Sequence, residues 1–454
     1  MTLTTFARPT GLRSVALGLA LPLVLLAGCS SAADEALPTV AADDAPATDE
    51  ETTATEAATD TPRLVITYEG GLQVLDATTL ETVSSIDLAG FNRINAAGDG
   101  RSVLVSTSGG FQVLDAGTWA EPHGDHSHYY TAEPSLAQVS FEAEKPGHVV
   151  AHEGRTTLFD DATGDVVVFH SAEVADADRA TRAYTAPSVH HGVAVELTDG
   201  RLIVSEGTAE ARTGIRVFDL EDVEIASSDE CPGVHGEAVA ADEAVVIGCE
   251  DGALVYANWV VSKVTSPDAY GRIGNQAGSE ASPIVLGDYK SDADAELERP
   301  TRVSLIDTRT AELTLVDLPS SYSFRSLGRG DAGEALVLGT DGQLHVIDPE
   351  TGTLTRSIPV MAAWEEPEEW QVARPALTVL DGSAYITDPS TRTIYAVDIE
   401  TGEVWNSVVL TVTPNELTGV SGKAGVVRTD VDDADEHADE HEGHDHESDE
   451  PHTD

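Results

Sequence analysis

The stretch LVITYEGGLQVLDATTLETVSSIDL, residues 64–88, contains three short apolar segments separated by turns. Its pattern returns in VLVSTSGGFQVLDAGTW (103–119), ALVLGTDGQLHVIDPETGTLTRSIPV (335–360) and AYITDPSTRTIYAVDIETGEVWNSVVL (384–410). In each copy an apolar strand precedes a Gly or Asp turn, and an alternating strand ending in Asp follows. Weaker copies extend the series to eight positions, about 46 residues apart: Asp76, Asp115, Asp160, Asp219, Asn258, Asp307, Asp348 and Asp398.

Alternating short strands that repeat at this period are typical of β-propeller blades. The sequence therefore predicts an all-β propeller over residues 63–428, with eight blades. Seven blades are the alternative, because the Asn258 copy is weak, and a β-helix would have much shorter repeats. We expect residues near 419–428 to pair with the first blade, which would leave no free sheet edge.

The N-terminus has the pattern of a secretion signal. Arg8 and Arg13 precede an apolar run that ends at Cys29, and the run is too short to span a membrane comfortably. Residues 1–28 are predicted to be a lipoprotein signal peptide, with Cys29 as the lipidated residue. The protein would then be anchored to the outer face of the bacterial cell membrane; the alternative is an ordinary secreted protein with a chance cysteine.

Both ends of the chain are acidic and have compositions typical of disorder. Residues 29–62 are predicted to be a tether; residues 30–62 contain nine acids and no Lys or Arg. The predicted tail, 429–454, contains thirteen acids and five histidines. Since His-rich tracts bind metal, the tail is predicted to capture metal, the alternative being an acidic solubilising segment. The tail histidines singled out as ligands are His437, His441, His444 and His446.

Charge and cysteines narrow the classes of partner. The formal net charge is −55, which disfavours binding to nucleic acid, and contact with the membrane is expected only through the lipid.

Outside the cytoplasm Cys231 and Cys249 are predicted to form a disulfide, with metal ligation by the thiols as the alternative. We expect a monomer.

Histidines cluster in HGDHSHYY, residues 123–130. No strand pattern is evident from His123 to Pro134, so the sequence predicts a loop, inserted before the inner strand of the Asp160 blade. His126 and His128 are two residues apart and point the same way in an extended chain. His123 and Asp125 are secondary candidates as ligands.

Two further segments, APSVHHG and CPGVHGE, open the inner strands of the next two blades. His190 or His191 and His235 should therefore lie at the same end of the channel, where the HGDHSHYY loop would join them. Histidine and carboxylate ligands in tetrahedral geometry favour Zn(II), although Ni(II) or Cu(II) are not excluded by residue type. The predicted ligand set is His126, His128, His190 and His235, with His191 as the competitor of His190.

The other histidines of the propeller are weaker candidates. His148 and His152 flank one short strand and are given a smaller chance of a metal role. His170 and His345 are expected to be polar surface residues.

Together, the secretion signal, the propeller, HGDHSHYY, VHHG, CPGVHGE with Cys249, and the His-rich segment resemble the AztD family of extracytoplasmic zinc metallochaperones. The resemblance covers most of the mature chain. It implies that zinc is bound and passed directly to the solute-binding protein of a zinc ABC transporter. The His-rich segment lies here at the C-terminus.

Two other functions remain open from the sequence. A zinc ion with three histidines and an open position can activate water, which would suit a propeller hydrolase. No GxSxG, HExxH or CxxCH motif is present, so we expect no enzymatic activity. A propeller that only displays loops to another surface protein would hold no stoichiometric metal.

Overall fold

The structure is a computed structural model and describes residues 54–426. Over this range the chain forms eight four-stranded antiparallel sheets, one extended by a short parallel strand, and a separate three-stranded sheet. No α-helix occurs among these residues, and single 3-10 turns cover Ser171–Glu173 and Ala241–Glu243. No helix in the described range is long and apolar enough to cross a membrane. The predicted signal peptide, Cys29 and the tail histidines lie outside the described residues.

The strands are short, as the sequence pattern predicts. Those of the first half are β1 Thr55–Ala57, β2 Arg63–Tyr68, β3 Gly71–Asp76, β4 Thr82–Asp87, β5 Arg93–Ala96, β6 Ser102–Thr107, β7 Gly110–Asp115, β8 Thr118–His123, β9 His126–Thr131, β10 Ser135–Glu142, β11 Pro146–His152, β12 Arg155–Asp160, β13 Asp165–His170, β14 Thr181–Thr185, β15 Ala194–Glu196, β16 Leu202–Gly207, β17 Arg212–Phe218 and β18 Glu224–Ser228. Those of the second half are β19 His235–Val239, β20 Val245–Cys249, β21 Asp251–Ala257, β22 Val260–Thr265, β23 Gly271–Arg272, β24 Gln276–Ala277, β25 Ile284–Asp288, β26 Arg302–Asp307, β27 Glu312–Asp317, β28 Leu327–Arg329, β29 Ala335–Leu338, β30 Gln343–Asp348, β31 Thr353–Pro359, β32 Ala376–Leu380, β33 Ser383–Asp388, β34 Thr393–Asp398, β35 Val404–Val409 and β36 Leu417–Val420.

The eight four-stranded sheets are the blades of a propeller. Blade 1 has the order β36-β2-β3-β4 and blade 2 the order β5-β6-β7-β10. Blades 3 to 8 are built from consecutive strands: β11–β14, β15–β18, β19–β22, β24–β27, β28–β31 and β32–β35. The prediction of an all-β propeller with eight blades is therefore confirmed.

The last strand closes the ring. β36 pairs with β2 in antiparallel register, with Val420 opposite Arg63 and Leu417 opposite Ile66. The first strands of neighbouring blades also contact one another, as β36 does with β5 and β32 does with β36. This pairing completes blade 1 and joins the two ends of the chain, and each blade keeps only a short outer edge.

The apolar core lies between neighbouring blades. Leu336 and Val346 of blade 7, for example, pack in one buried cluster with Ile386 and Val397 of blade 8. Burying each aliphatic side chain of this kind contributes about 1.5–3 kcal/mol. The alternating Val, Ile and Leu of the repeats therefore serve packing and carry no site.

The repeated aspartates shape the turns after the strands. Asp76 Oδ1 accepts hydrogen bonds from the backbone N–H of Thr78 and Thr79, at 3.0 and 2.9 Å. Such Asx turns stabilise a sharp change of direction. Asp160 makes the same kind of bond to Ala162, but it ends β12, the second strand of its blade, instead of the third. The turns after the second and the third strand of a blade use the same aspartate chemistry. The comparison of repeats in the sequence therefore placed the Asp160 copy one strand out of register.

Strand direction defines two faces of the ring. We call the end of each blade at which its innermost strand begins the top face, and the opposite end the bottom face. In a four-stranded antiparallel blade the third strand runs parallel to the first, so it ends at the bottom face. β7 ends there, and the β8–β9 hairpin follows it before the chain returns along β10. The HGDHSHYY segment therefore lies in blade 2 at the bottom face, and the predicted insertion before the Asp160 blade is wrong.

The tether is shorter than the sequence predicts. Thr55–Ala57 forms β1, which pairs with Tyr129–Thr131 of β9. Thr61 also hydrogen-bonds to Thr118, with 2.7 Å between the Thr118 hydroxyl and the Thr61 carbonyl. The acidic composition of residues 29–62 did not reveal this strand, because the strand depends on an edge that the distant hairpin supplies.

Candidate metal sites

Two groups of three histidines converge among the described residues. In each group one ring nitrogen from every histidine lies within 4.8 Å of the others. We call His148, His191 and His235 the channel triad, and His123, His126 and His128 the hairpin triad.

The channel triad comes from three successive blades. His148 is the third residue of β11, His191 precedes β15, and His235 begins β19. All three positions lie at the start of an innermost strand, so propeller symmetry brings them to the top face, beside the channel. One short strand offers too few side chains to surround an ion, whereas three neighbouring blades can.

The imidazoles of the channel triad are half-buried and close together. His191 Nε2 lies 3.3 Å from His235 Nε2, and the ring centroids of His148 are 5.2 and 5.9 Å from those of His191 and His235. A metal ion between the three nitrogens would replace this direct contact with three coordinate bonds.

Two of the three imidazoles are fixed by hydrogen bonds through Nδ1, and the third has its Nδ1 beside a carboxylate. His191 Nδ1 donates to Asp161 Oδ2 at 2.7 Å, and His235 Nδ1 donates to the Gly274 carbonyl at 2.5 Å. His148 Nδ1 lies 3.1 Å from Glu237 Oε2. These contacts leave Nε2 of each ring as the metal-facing nitrogen, which is the arrangement found around histidine ligands in metal sites.

His235 is held in the neutral form that metal ligation requires. Burial, reinforced by the neighbouring His148 and Arg272, lowers the pKa of His235 to about 2. Its Nε2 therefore keeps a lone pair throughout the physiological pH range.

Glu237 is a carboxylate with unused capacity beside the triad. Its Oε2 is buried, and its contact with His148 does not have hydrogen-bond geometry, so this atom has no hydrogen bond among the described residues. A buried carboxylate oxygen without a partner is costly. A cation at the triad would relieve that cost, so the residues present fit a bound Zn²⁺.

A disulfide braces the segment that carries His235. Cys231 and Cys249 are bonded, with Cα atoms 5.0 Å apart, and both are fully buried. The bond joins the chain just before β19 to the end of β20, where His235 pairs with Gly248. The disulfide prediction is confirmed, so these thiols are not free metal ligands.

The hairpin triad lies on one face of the β8–β9 hairpin. His123 is paired across the strands with His126, and His128 is two residues farther along β9. His123 Nδ1 lies 3.4 Å from His128 Nε2, and His128 Nδ1 lies 2.9 Å from Glu56 Oε1 of β1. Asp125 sits in the turn, with its Oδ1 atom 3.2 Å from His126 Nδ1. His123 and His126 are exposed, unlike the channel histidines.

The hairpin replaces the loop that the sequence predicts. Gly124 adopts φ +63° in a two-residue turn that only a few residue types tolerate. Trp119 stacks on Tyr130 across the two strands, with 5.5 Å between ring centroids. The aromatic residues and the turn residues are both present in the sequence. The polar histidines, however, interrupt the alternation of apolar and polar residues by which a strand is recognised.

The four-histidine set predicted from the sequence is not brought together. His126 and His128 belong to the hairpin triad and His235 to the channel triad, because β7 leads the chain to the bottom face before the hairpin. His190 joins neither group. Its Nδ1 is 2.9 Å from the Ser188 carbonyl, and its Nε2 is 2.9 Å from Ser205 Oγ. Both ring nitrogens are engaged in the interior, and His191 takes the channel position.

Two further histidines lie outside both triads. His345, expected at the surface, is fully buried, with Nδ1 2.9 Å from Ser357 Oγ. His152 lies at the far end of β11, with Nε2 3.1 Å from Glu243 Oε1.

The contribution of His148 had a sequence signal that the alignment missed. Pro146 and Gly147 precede His148, just as Pro232 and Gly233 precede the VH pair that ends in His235. Once Asp160 is assigned to the second strand, β11 and β19 align and both histidines fall at the start of an innermost strand. Asp161, by contrast, reaches His191 only through the tertiary structure.

The chain is similar to a zinc chaperone in sequence and in fold. No family model matches the chain. The zinc chaperone AztD of Citrobacter koseri is 25% identical over 330 residues, covering 70% of this chain and 76% of that protein. The crystal structure of C. koseri AztD superimposes with a TM-score of 0.70 at 23% identity, covering 82% of this chain and 100% of that one. The resemblance to the AztD family is confirmed.

Other solved structures show how widely the fold is shared. The apo form of C. koseri AztD gives a TM-score of 0.68 at 22% identity, covering 80% of this chain and 98% of that one. Dihydro-heme d1 dehydrogenase NirN matches with a TM-score of 0.51 at 9% identity, over 79% of this chain and 75% of its own. Both matches, at less than 25% identity, concern the fold alone. The curated relative from C. koseri is named a zinc chaperone.

Proposed function

We propose that the protein is an extracytoplasmic zinc chaperone that holds Zn²⁺ at the channel triad. The observation that carries the proposal is the convergence of one ring nitrogen each from His148, His191 and His235. The Nδ1 atoms of the latter two are engaged in hydrogen bonds to other groups. Three imidazoles with one remaining position suit tetrahedral zinc. The likeness to zinc chaperone AztD supports the same metal.

A zinc ion held by these three ligands would remain accessible from solvent. Two of them, His148 and His235, line a cavity of about 400 Å³ that opens at the face of the ring. An acceptor protein can therefore approach from that face and displace the histidines one at a time. We propose that this acceptor is the solute-binding protein of a zinc ABC transporter.

The hairpin triad supplies a second, exposed zinc site in this proposal. Two of its histidines are solvent-exposed, so binding there should be weaker and exchange faster than in the channel. The tail histidines His437, His441, His444 and His446, which lie outside the described residues, would add capture capacity. Lipidation at Cys29 would keep these sites at the outer face of the membrane.

The test is zinc titration of the full chain against a His148→Asn, His191→Asn double variant. We expect the tightest zinc equivalent to disappear in the variant while the weaker equivalents and the thermal unfolding midpoint persist. His170→Asn, which alters a histidine outside both triads, is the matched control. An unchanged tight equivalent in the double variant would remove the channel triad from the proposal.

Transfer is tested separately with the zinc-loaded protein and a metal-free zinc-transporter solute-binding protein. Direct transfer requires that zinc reach the acceptor faster than it dissociates to an excess of small-molecule chelator. Equal rates would indicate release into solution and argue against a chaperone. Hydrolytic turnover by the zinc-loaded protein would instead favour the metal-dependent enzyme.

A further inference from the structure

Three cationic side chains line the same cavity as the channel triad. Arg93, Arg272 and Lys290 border this cavity together with His148 and His235. None of the three cations has an ion pair within 4.0 Å or a side-chain hydrogen bond among residues 54–426, unlike most Lys and Arg residues in this range.

Two of these cations are placed directly opposite each other. Arg272 and Lys290 form an antiparallel β-bridge, with backbone N–H···O distances of 2.8 and 2.9 Å in the two directions. Side chains directly opposite in such a pair share one side, and like charges there are destabilising. Arg212 adds to the repulsion, since Arg272 contributes, after burial, to lowering the pKa of Arg212.

The acids nearby are already engaged. Asp288 Oδ1 accepts hydrogen bonds from the backbone N–H groups of Gly274 and Asn275, at 2.6 and 3.0 Å. Asp161 holds His191, and Glu237 contacts His148. Asp288 still attracts Lys290 and Arg272 electrostatically, but no carboxylate of the described residues forms an ion pair within 4.0 Å of either cation.

The cations also lie beside the proposed metal position. The Arg272 guanidinium packs against Gly274, where an added Cβ would lie 2.7 Å from Arg272 Nη1. The Gly274 carbonyl in turn accepts the hydrogen bond from His235 Nδ1. A cationic rim repels a hydrated dication, so these residues do not serve to attract free zinc. An anion bound between the rim and the metal would interact favourably with both.

We propose that this cavity binds a small dicarboxylate. One carboxylate completes the coordination of the metal at the channel triad, and the other pairs with Arg272 and Lys290. The metal-bridging half of this proposal rests on the proposed function, whereas the pairing with the cations does not. A volume of about 400 Å³ accommodates a ligand of this size.

The experiment uses the metal-free full chain and two matched probes, succinate and its uncharged analogue succinamide, in calorimetric titrations at low salt. We expect saturable binding of succinate only, weakened at least tenfold in an Arg272→Gln, Lys290→Gln double variant. Arg392→Gln, which removes an arginine without an ion pair elsewhere in the described chain, should leave binding unchanged. The Lys290→Gln single variant should show an intermediate loss and guards against misfolding of the double variant.

Equal binding of succinate and succinamide, or undiminished binding by the double variant, would overturn the dicarboxylate site. The His148→Asn, His191→Asn variant separates this result from the proposed function. It should lose tight zinc binding and still bind succinate in the metal-free state. In the wild-type protein succinate should also raise the affinity for zinc, and a lowered affinity would refute the bridging role.

Discussion

His191 Nε2 lies 3.3 Å from His235 Nε2, although 44 residues and a whole blade separate the two in sequence. Each ring is tied down at Nδ1, to Asp161 in one case and to the Gly274 carbonyl in the other. The site is therefore built before any metal arrives. Such preorganisation lowers the entropy lost on binding.

Asp161 should tune zinc affinity without binding zinc. An Asp161→Asn change keeps the size of the side chain but removes the charge that supports His191. Loss of such a partner typically costs about 10–100-fold in metal affinity, and we expect that range with unchanged stoichiometry. Competition with a chelator of known affinity measures it.

The control for this change is Lys145→Gln. Lys145 Nζ lies 3.6 Å from Asp161 Oδ2 but is itself exposed and does not contact His191. Its loss should leave zinc affinity within about twofold, since an exposed ion pair contributes little. If zinc affinity rose in Lys145→Gln by as much as it falls in Asp161→Asn, charge balance, and not orientation of the ring, would control the site.

The Cys231–Cys249 disulfide should stabilise both the fold and the site. It closes a loop of 18 residues, for which chain entropy gives a contribution of about 3 kcal/mol. A Cys231→Ser, Cys249→Ser variant should lose about that much free energy of unfolding in urea titrations. Zinc affinity should fall too, because the bond fixes the approach to His235. Unchanged affinity would show that pairing of β19 with β20 alone holds His235.

The hairpin triad should act independently of the channel triad. A His126→Asn, His128→Asn variant should bind about one zinc equivalent fewer than the wild type and unfold at the same temperature, because the side chains are largely exposed. Isothermal titration and thermal unfolding measure the two quantities. Loss of the tight channel equivalent in this variant would contradict the separation of the sites.

His345 should make stability depend on pH. Burial lowers the pKa of His345, an effect that Asp341 partly opposes. The imidazole stays neutral in the folded protein while it is protonated in the unfolded chain below about pH 6.5. The unfolded state then binds more protons, so the free energy of unfolding decreases as the pH falls below 6.5.

Urea titrations of the wild type and a His345→Gln variant between pH 7.5 and 5 test this dependence. The free energy of unfolding should fall less steeply with decreasing pH in the variant. Parallel profiles would mean that His345 takes up its proton in the folded state.

The repeats were enough to predict the fold because each blade carries the same local signals. Alternating apolar residues mark the strands, and aspartates such as Asp76 mark the turns. These signals act within a few residues, so they can be read without knowing the three-dimensional neighbours. The register of blade 3 failed because the turn at Asp160 uses the same chemistry at a different strand.

The candidate site was only partly readable. His235 and the alternative His191 were found because they open aligned innermost strands, whereas His190 was preferred on spacing alone. Adjacent residues point to opposite sides, and only packing decided that His190 turns inward to Ser205. The strand β1 escaped notice for a related reason, since its partner β9 is more than 70 residues away.

By itself, then, the sequence determined the propeller, its eight blades, the disulfide and the wealth of histidine, because periodicity and residue type are local properties. The tertiary structure alone decided that the histidines form two triads instead of one site. That division depends on the direction in which β7 leaves its blade and on which face each innermost strand begins. The tertiary structure also placed Arg272 opposite Lys290, since contacts between distant segments exist only once the chain has folded.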